Sequence, residues 1–191
     1  ILADSQSKAQ VVFDSNNNDP DEWIRKHWGL SRHFTWKGIF RKPVVDASTP
    51  LRDWIIKVFY VKGDRQGSTF GLVNNVPIHG LNNDNLSIPY KAIQVALGER
   101  IKDASVKRFF LEVYKVPLFL AVDVKFSGAR FGGTTKDTYR DPVFRKLMSA
   151  DIESYISQPE GKLLIDTLYE MMAEEIQARY EESLNVKAVQ K

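Results

Sequence analysis

Cysteine is absent from the 191 residues, which excludes disulfides, thiolate nucleophiles and Cys-ligated zinc or iron–sulfur centres. The same absence favours a reducing compartment. Long apolar runs are missing too. The longest, residues 54–61 and 116–124, are strand-sized and far short of the roughly 18 residues of a membrane span. No signal peptide is visible, and the chain opens on Ile1 rather than Met, the pattern of a trimmed product. Histidine is scarce: His27, His33 and His79 have no zinc-site spacing. There is no Gly-x-Ser-x-Gly elbow and no internal repeat. From these gaps we expect no metal and no cofactor. The location that fits is intracellular, in cytoplasm or nucleus, or inside a virion. The balance leans away from an enzyme.

What is present is a globular composition, with 43% hydrophobic and 27% charged residues. A chain this long buries roughly 70% of its unfolded surface and needs no covalent staple. The net charge of +3 hides an asymmetry. From residue 151 onward there are nine acidic and four basic residues, leaving 23 basic against 15 acidic before it. A basic body with an acidic tail points to an anionic partner for the body, or to a surface kept soluble by its cations.

Residues 1–18 read as a flexible arm and residues 19–191 as one domain. Asp19, Pro20 and Glu22 mark the start of a helix that Gly29 ends. Residues 34–40 and 54–61 are rich in β-branched and aromatic side chains, which favours strands. A turn at 62–67 then returns the chain as a second hairpin strand over 69–73. Residues 74–85 read as loop. A helix starts near Pro89 with Ser87 at its cap and weakens at Gly98, and residues 109–116 and 118–126 read as two strands. Asp141-Pro142 opens a helical third. Ser157 and Glu160 frame the final helix, whose stripe of Leu164, Leu168, Met171, Met172 and Ile176 runs to about residue 182. The fold class is therefore α+β: a central, mostly antiparallel sheet with helices packed on it and a C-terminal helical third.

Three segments carry candidate chemistry. Between residues 23 and 65, ten Lys or Arg face three acids, with aromatics interleaved. Arg32, His33, Trp36, Lys37, Arg41 and Lys42 could neutralise phosphates and stack bases, or could form core with snorkelling cations. Residues 126–136 hold three glycines, two cations and adjacent threonines, which would let backbone amides approach a phosphate without the order of a P-loop. There Arg130, Lys136 and Arg140 are the expected phosphate contacts. Finally, Asp123 and Lys125 share one face of a strand, in the acid-x-Lys spacing of metal-dependent nucleases. The upstream Pro-Asp partner is missing, and Asp103 and Glu112 are the acids that would have to replace it.

The reading these features support is a nucleic-acid-binding and assembly protein, viral or from a mobile element, that uses a basic aromatic surface on DNA or RNA. Its C-terminal helix would offer a face for homo-oligomers. One alternative is a Mg²⁺-dependent nuclease built on Asp123 and Lys125. Another is a viral matrix-like structural protein whose basic face meets anionic membrane.

Overall fold

The computed structural model describes residues 34–44, 52–61, 69–114, 116–132 and 138–189, with backbone alone described for 34–44, Phe59, Val61 and 187–189. The expected arm and the helix at 20–28 lie outside the described residues. So do Arg32, His33 and Lys136, and the side chains of Trp36, Lys37, Arg41 and Lys42.

Alternation places the sheet. In β2 (Arg52–Val61), Trp54, Ile56, Val58 and Tyr60 are buried, while the described side chains between them are half-exposed. Their cross-strand partners in β5 (Leu118–Phe126) are Val124, Val122, Leu120 and Leu118. Four apolar pairs thus share one face, the unit that stabilises a sheet. Each such side chain contributes roughly 1.5–3 kcal/mol when taken from water. Two short strands, β3 (Thr69–Val73) and β4 (Val76–His79), follow β2 in sequence. With β1 (Phe34–Val44) the sheet has the order β1-β2-β5-β3-β4. It is mixed: β2–β5 and β3–β4 are antiparallel, whereas β3–β5 is parallel.

This order corrects the expected hairpin. β2 and β3 are not partners, because β5 lies between them. The turn-like composition of residues 62–67, which lie outside the described residues, carries no sign of a strand some fifty residues on. The loop expected at 74–85 holds a tight hairpin of its own. Asn74 and Asn75 have φ of 49° and 67°, a left-handed pair suited to a two-residue turn. The Asn74 amide group then clamps Phe126 by donating to its carbonyl and accepting from its N–H, both at 2.8 Å.

Among the described residues, four helices cover the apolar face: α1 (Asp84–Gly98), α2 (Ala104–Glu112), α3 (Pro142–Ile156) and α4 (Pro159–Val189). They bring Ile93, Leu97, Phe110, Phe144, Ile152 and Leu168 into the same core as the sheet. Helix α2 replaces the start of the strand expected at 109–116. Its cause is a cap the aromatic content obscured: the Asp103 carboxylate accepts from the Ser105 and Val106 N–H groups at 2.8 and 2.9 Å. Val106 and Phe110 then bury one face at helical spacing. Helix α1 begins at Asp84, before the expected start near Pro89, and keeps that proline inside. Asp141 caps α3 as expected, accepting from Val143 and Phe144.

At the α3–α4 corner the Ser157 hydroxyl donates back to the Glu153 carbonyl at 2.8 Å, so it does not cap α4 as expected. The stripe of Leu164, Leu168, Met172 and Ile176 is buried within the domain, with Met171 half-buried. Helix α4 continues to Val189, beyond the expected end near 182. Among the described residues, no helix is long and apolar enough to cross a membrane. The fold is α+β with a C-terminal helical third.

Candidate functional site

The loop after β5 is fixed by its two ends. Gly128, with φ of 88°, turns the chain away from the sheet in a conformation that side chains resist. Gly132 and Thr138 then form an isolated antiparallel bridge, with the Gly132 N–H donating to the Thr138 carbonyl at 2.9 Å. Phe131 and Phe144 flank the Tyr139 ring at centroid distances of 5.3 and 5.1 Å. Phe144 in turn meets Phe126 at 5.4 Å. A run of aromatic rings therefore ties this loop to the end of β5 and the start of α3.

From Tyr139 to Asp141 the backbone lies across the first residues of α1. The Tyr139 N–H donates to Asn83 Oδ1 at 2.7 Å, and the Asp84 N–H donates to the Tyr139 carbonyl at 2.9 Å. The Asp141 N–H donates to Asp84 Oδ2 at 2.9 Å, while Arg145 reaches Asp84 Oδ1 at 3.0 Å. Asn83 stands at the cap position of α1 yet makes no capping bond. Its Nδ2 instead donates to the His79 carbonyl at 2.7 Å. This engagement explains why α1 starts a turn before the position its proline suggests.

Two more carboxylates tie distant elements together. Asp151 on α3 accepts from Arg52 Nε and Nη2 at 2.7 and 3.0 Å, and from Trp54 Nε1 at 3.3 Å. Glu175 on α4 accepts from the Tyr60 hydroxyl at 2.6 Å and lies 3.4 Å from that of Tyr114. Burial, then the Glu175 charge, push the Tyr114 hydroxyl up to about 12. Burial and the bond to Glu175 raise Tyr60 as well. Desolvation holds His79 below its usual value, with its ring 5.4 Å from that of Phe70.

Of the candidate phosphate contacts, Arg130 and Arg140 are exposed, and Arg140 donates through Nε to the Asn82 carbonyl at 3.3 Å. Arg140 and Arg145 line a groove of about 850 Å³ beside α1 and α3, together with Ser87 and Lys91. The acid-x-Lys pair is tied up locally. Lys125 Nζ donates to Asn75 Oδ1 and stands 3.5 Å from Asp123 Oδ1, with both side chains nearly half exposed. Neither proposed substitute is free: Asp103 caps α2 and Glu112 pairs with Arg108 at 3.0 Å. Among the described residues, no group of three or more His, Asp or Glu could hold a metal.

No family model and no curated protein matches the chain. Solved structures do match. The B-subunit of the DNA gyrase from Myxococcus xanthus is similar at 15% identity, over 83% of this chain and 47% of that one, with a TM-score of 0.51. The fold resembles part of a gyrase B-subunit. The chain spans less than half the length of that subunit. A topoisomerase IV ATP binding domain of Francisella tularensis matches at 12% identity over 81% and 42%, with a TM-score of 0.40; that superposition is too loose to carry weight. The gyrase likeness overturns the expected viral or mobile-element nucleic-acid-binding and assembly protein. The nuclease and matrix-like alternatives fall with it, the nuclease also because Asp123 and Lys125 serve each other and Asn75.

Sequence reasoning missed Asn83, Asp84, Asp151 and Glu175. Local spacing offered one usable signal, the run Asn82-Asn83-Asp84-Asn85 just before a helical pattern, which is a start signature. Nothing local marks Asp151 or Glu175, whose partners lie about a hundred residues away.

Proposed function

We propose that this chain is part of a gyrase B-like subunit of a DNA-topology machine, in which residues 126–140 meet a phosphate-bearing ligand. The observation that carries this reading is the fold likeness, which extends over 83% of the chain. The surface chemistry supports the ligand class. Arg130 and Arg140 are exposed on either side of the Gly132–Thr138 bridge, and guanidinium groups suit phosphate oxygens bidentately. Lys136 joins them by sequence. The buried carboxylates near this region, Asp84 and Asp141, are engaged in holding the loop and helix ends, which suits a part that positions a ligand.

The test uses the parent polypeptide that contains this chain, assembled with the other subunit of its machine. Plasmid linking number is read by gel after incubation with and without ATP, the triphosphate serving as the phosphate probe. The expected result is an ATP-dependent change in linking number that falls at least tenfold when Arg130, Lys136 and Arg140 are together changed to Ala. An unchanged linking number in the presence of ATP defeats the gyrase-like reading. Full activity in the triple variant defeats the assignment of the loop.

A further inference from the structure

We propose that residues 138–141 form a latch: they dock on the first turn of α1 through Asn83 and Asp84, and release from it as a unit. The docked state is held at several points. The Tyr139 N–H donates to Asn83 Oδ1 at 2.7 Å, the Asp84 N–H donates to the Tyr139 carbonyl at 2.9 Å, the Asp141 N–H donates to Asp84 Oδ2 at 2.9 Å, and Arg145 pairs with Asp84 at 3.0 Å. Asp84 is nearly buried while Arg145 is more than half exposed, so the pair that locks the latch can be reached from solvent.

The docked state also carries a cost. Tyr139 is wholly buried, and its hydroxyl has no hydrogen-bond partner among the described residues. An unpartnered buried hydroxyl has lost its water without replacement, which disfavours the state that buries it. Burial, with the neighbouring Asp141 and Asp84 carboxylates, keeps that hydroxyl protonated well above its usual range. Release would return it to water. The docked state is thus held by charge-assisted bonds and by the packed Tyr139 ring, and opposed by one orphaned group.

The same four residues connect what lies on either side. Thr138 closes the bridge that carries the loop, and Asp141 caps α3. Release therefore alters the loop, the start of α1 and the start of α3 together. What would work the latch rests on the reading of the loop as a phosphate contact: an anion that draws Arg145 away from Asp84 weakens the closed state. The existence of the latch does not rest on that reading.

Hydrogen exchange of the chain, followed by mass spectrometry, tests both. In Asp84→Ala, exchange over residues 138–141 should quicken at least tenfold relative to peptides of β2 and β5. Arg145→Ala changes a more exposed partner and should quicken it about threefold without unfolding the domain. Tyr139→Phe should slow it severalfold, since the orphaned hydroxyl is gone. Asp151→Asn weakens a more buried ion pair elsewhere and should leave residues 138–141 no faster than the body. Uniform acceleration in the Asp84 and Arg145 variants, or faster exchange in Tyr139→Phe, overturns the latch. Adding inorganic triphosphate to wild type separates the two claims. Faster exchange at 138–141 supports an anion as what opens the latch, and no change removes that coupling while the variants still decide the latch.

Discussion

Replacing Gly161 with alanine should destabilise this domain, although the same exchange in an exposed helix interior stabilises by up to about 1 kcal/mol. Gly161 is buried in the first turn of α4, where that helix crosses the end of α3. A Cβ there would stand 2.1 Å from the Tyr155 carbonyl oxygen, 2.7 Å from Ile156 Cα and 2.8 Å from the Tyr155 carbonyl carbon. All three are backbone atoms, so no rotamer change relieves the collision. Relief requires α4 to shift away from α3, loosening Leu164, Ile165 and Leu168, which are buried behind it. Overpacking of this kind costs typically about 1–3 kcal/mol, and backbone collisions belong at the upper end. Setting the propensity gain against it leaves a net loss of about 2 kcal/mol, or roughly 4–8 °C in Tm for a chain of this size. Gly98→Ala is the matched comparison. Its Cβ would meet the tip of the Leu111 side chain at 2.9 Å, a flexible and partly exposed group, so its Tm should stay within about 2 °C of wild type. Thermal unfolding followed by far-ultraviolet circular dichroism reads both. A Gly161→Ala variant as stable as wild type, or more so, refutes the reasoning.

Other perturbations follow from the same geometry. Asp151→Asn should cost about 3 kcal/mol, because it removes the negative charge that Arg52 Nε and Nη2 meet at 2.7 and 3.0 Å, in a pair whose arginine is only 12% exposed; a shift in the urea midpoint equivalent to under 1 kcal/mol would contradict this. Gly71→Ala should cost about 1–3 kcal/mol, since its Cβ would press on Asn85 Nδ2 at 2.5 Å and the Val122 carbonyl at 3.3 Å, again read as a urea midpoint. Alkaline pH should unfold the domain. Tyr60, Tyr114 and Tyr139 have raised folded-state values, so their stabilisation is full below the usual value of 10 and is lost as pH rises through about 12 for Tyr114. Tyrosinate absorbance should rise together with loss of helix, and ionisation well before unfolding would contradict it. Arg140→Ala should change stability by no more than about 0.5 kcal/mol, as expected of an exposed side chain.

The elements that could be read from the sequence are those whose causes are local. Leu118 to Phe126 alternates cleanly, Asp141-Pro142 is a cap followed by its first helical residue, and the Leu164 to Ile176 stripe has helical spacing. The errors came where the cause was distant or was masked by composition. The turn at 62–67 looked like a hairpin because β5, which separates β2 from β3, arrives only at residue 118. Phe109 and Phe110 looked like strand residues, although the Asp103 cap six residues earlier had already set a helix. In the candidate site, Arg130 and Arg140 were visible as cations in a glycine-bearing loop. The groups that hold that loop, Asn83 and Asp84, meet partners nearly sixty residues away, a pairing that only the folded sheet order brings about.

Backbone nuclear Overhauser contacts decide that sheet order, on which the gyrase likeness and the placement of the loop both depend. Cross-strand contacts should join Gly71 to Val122 in parallel register and Val58 to Leu120 in antiparallel register. Contacts running directly between residues 54–61 and 69–73, with none from either to 118–126, would contradict it.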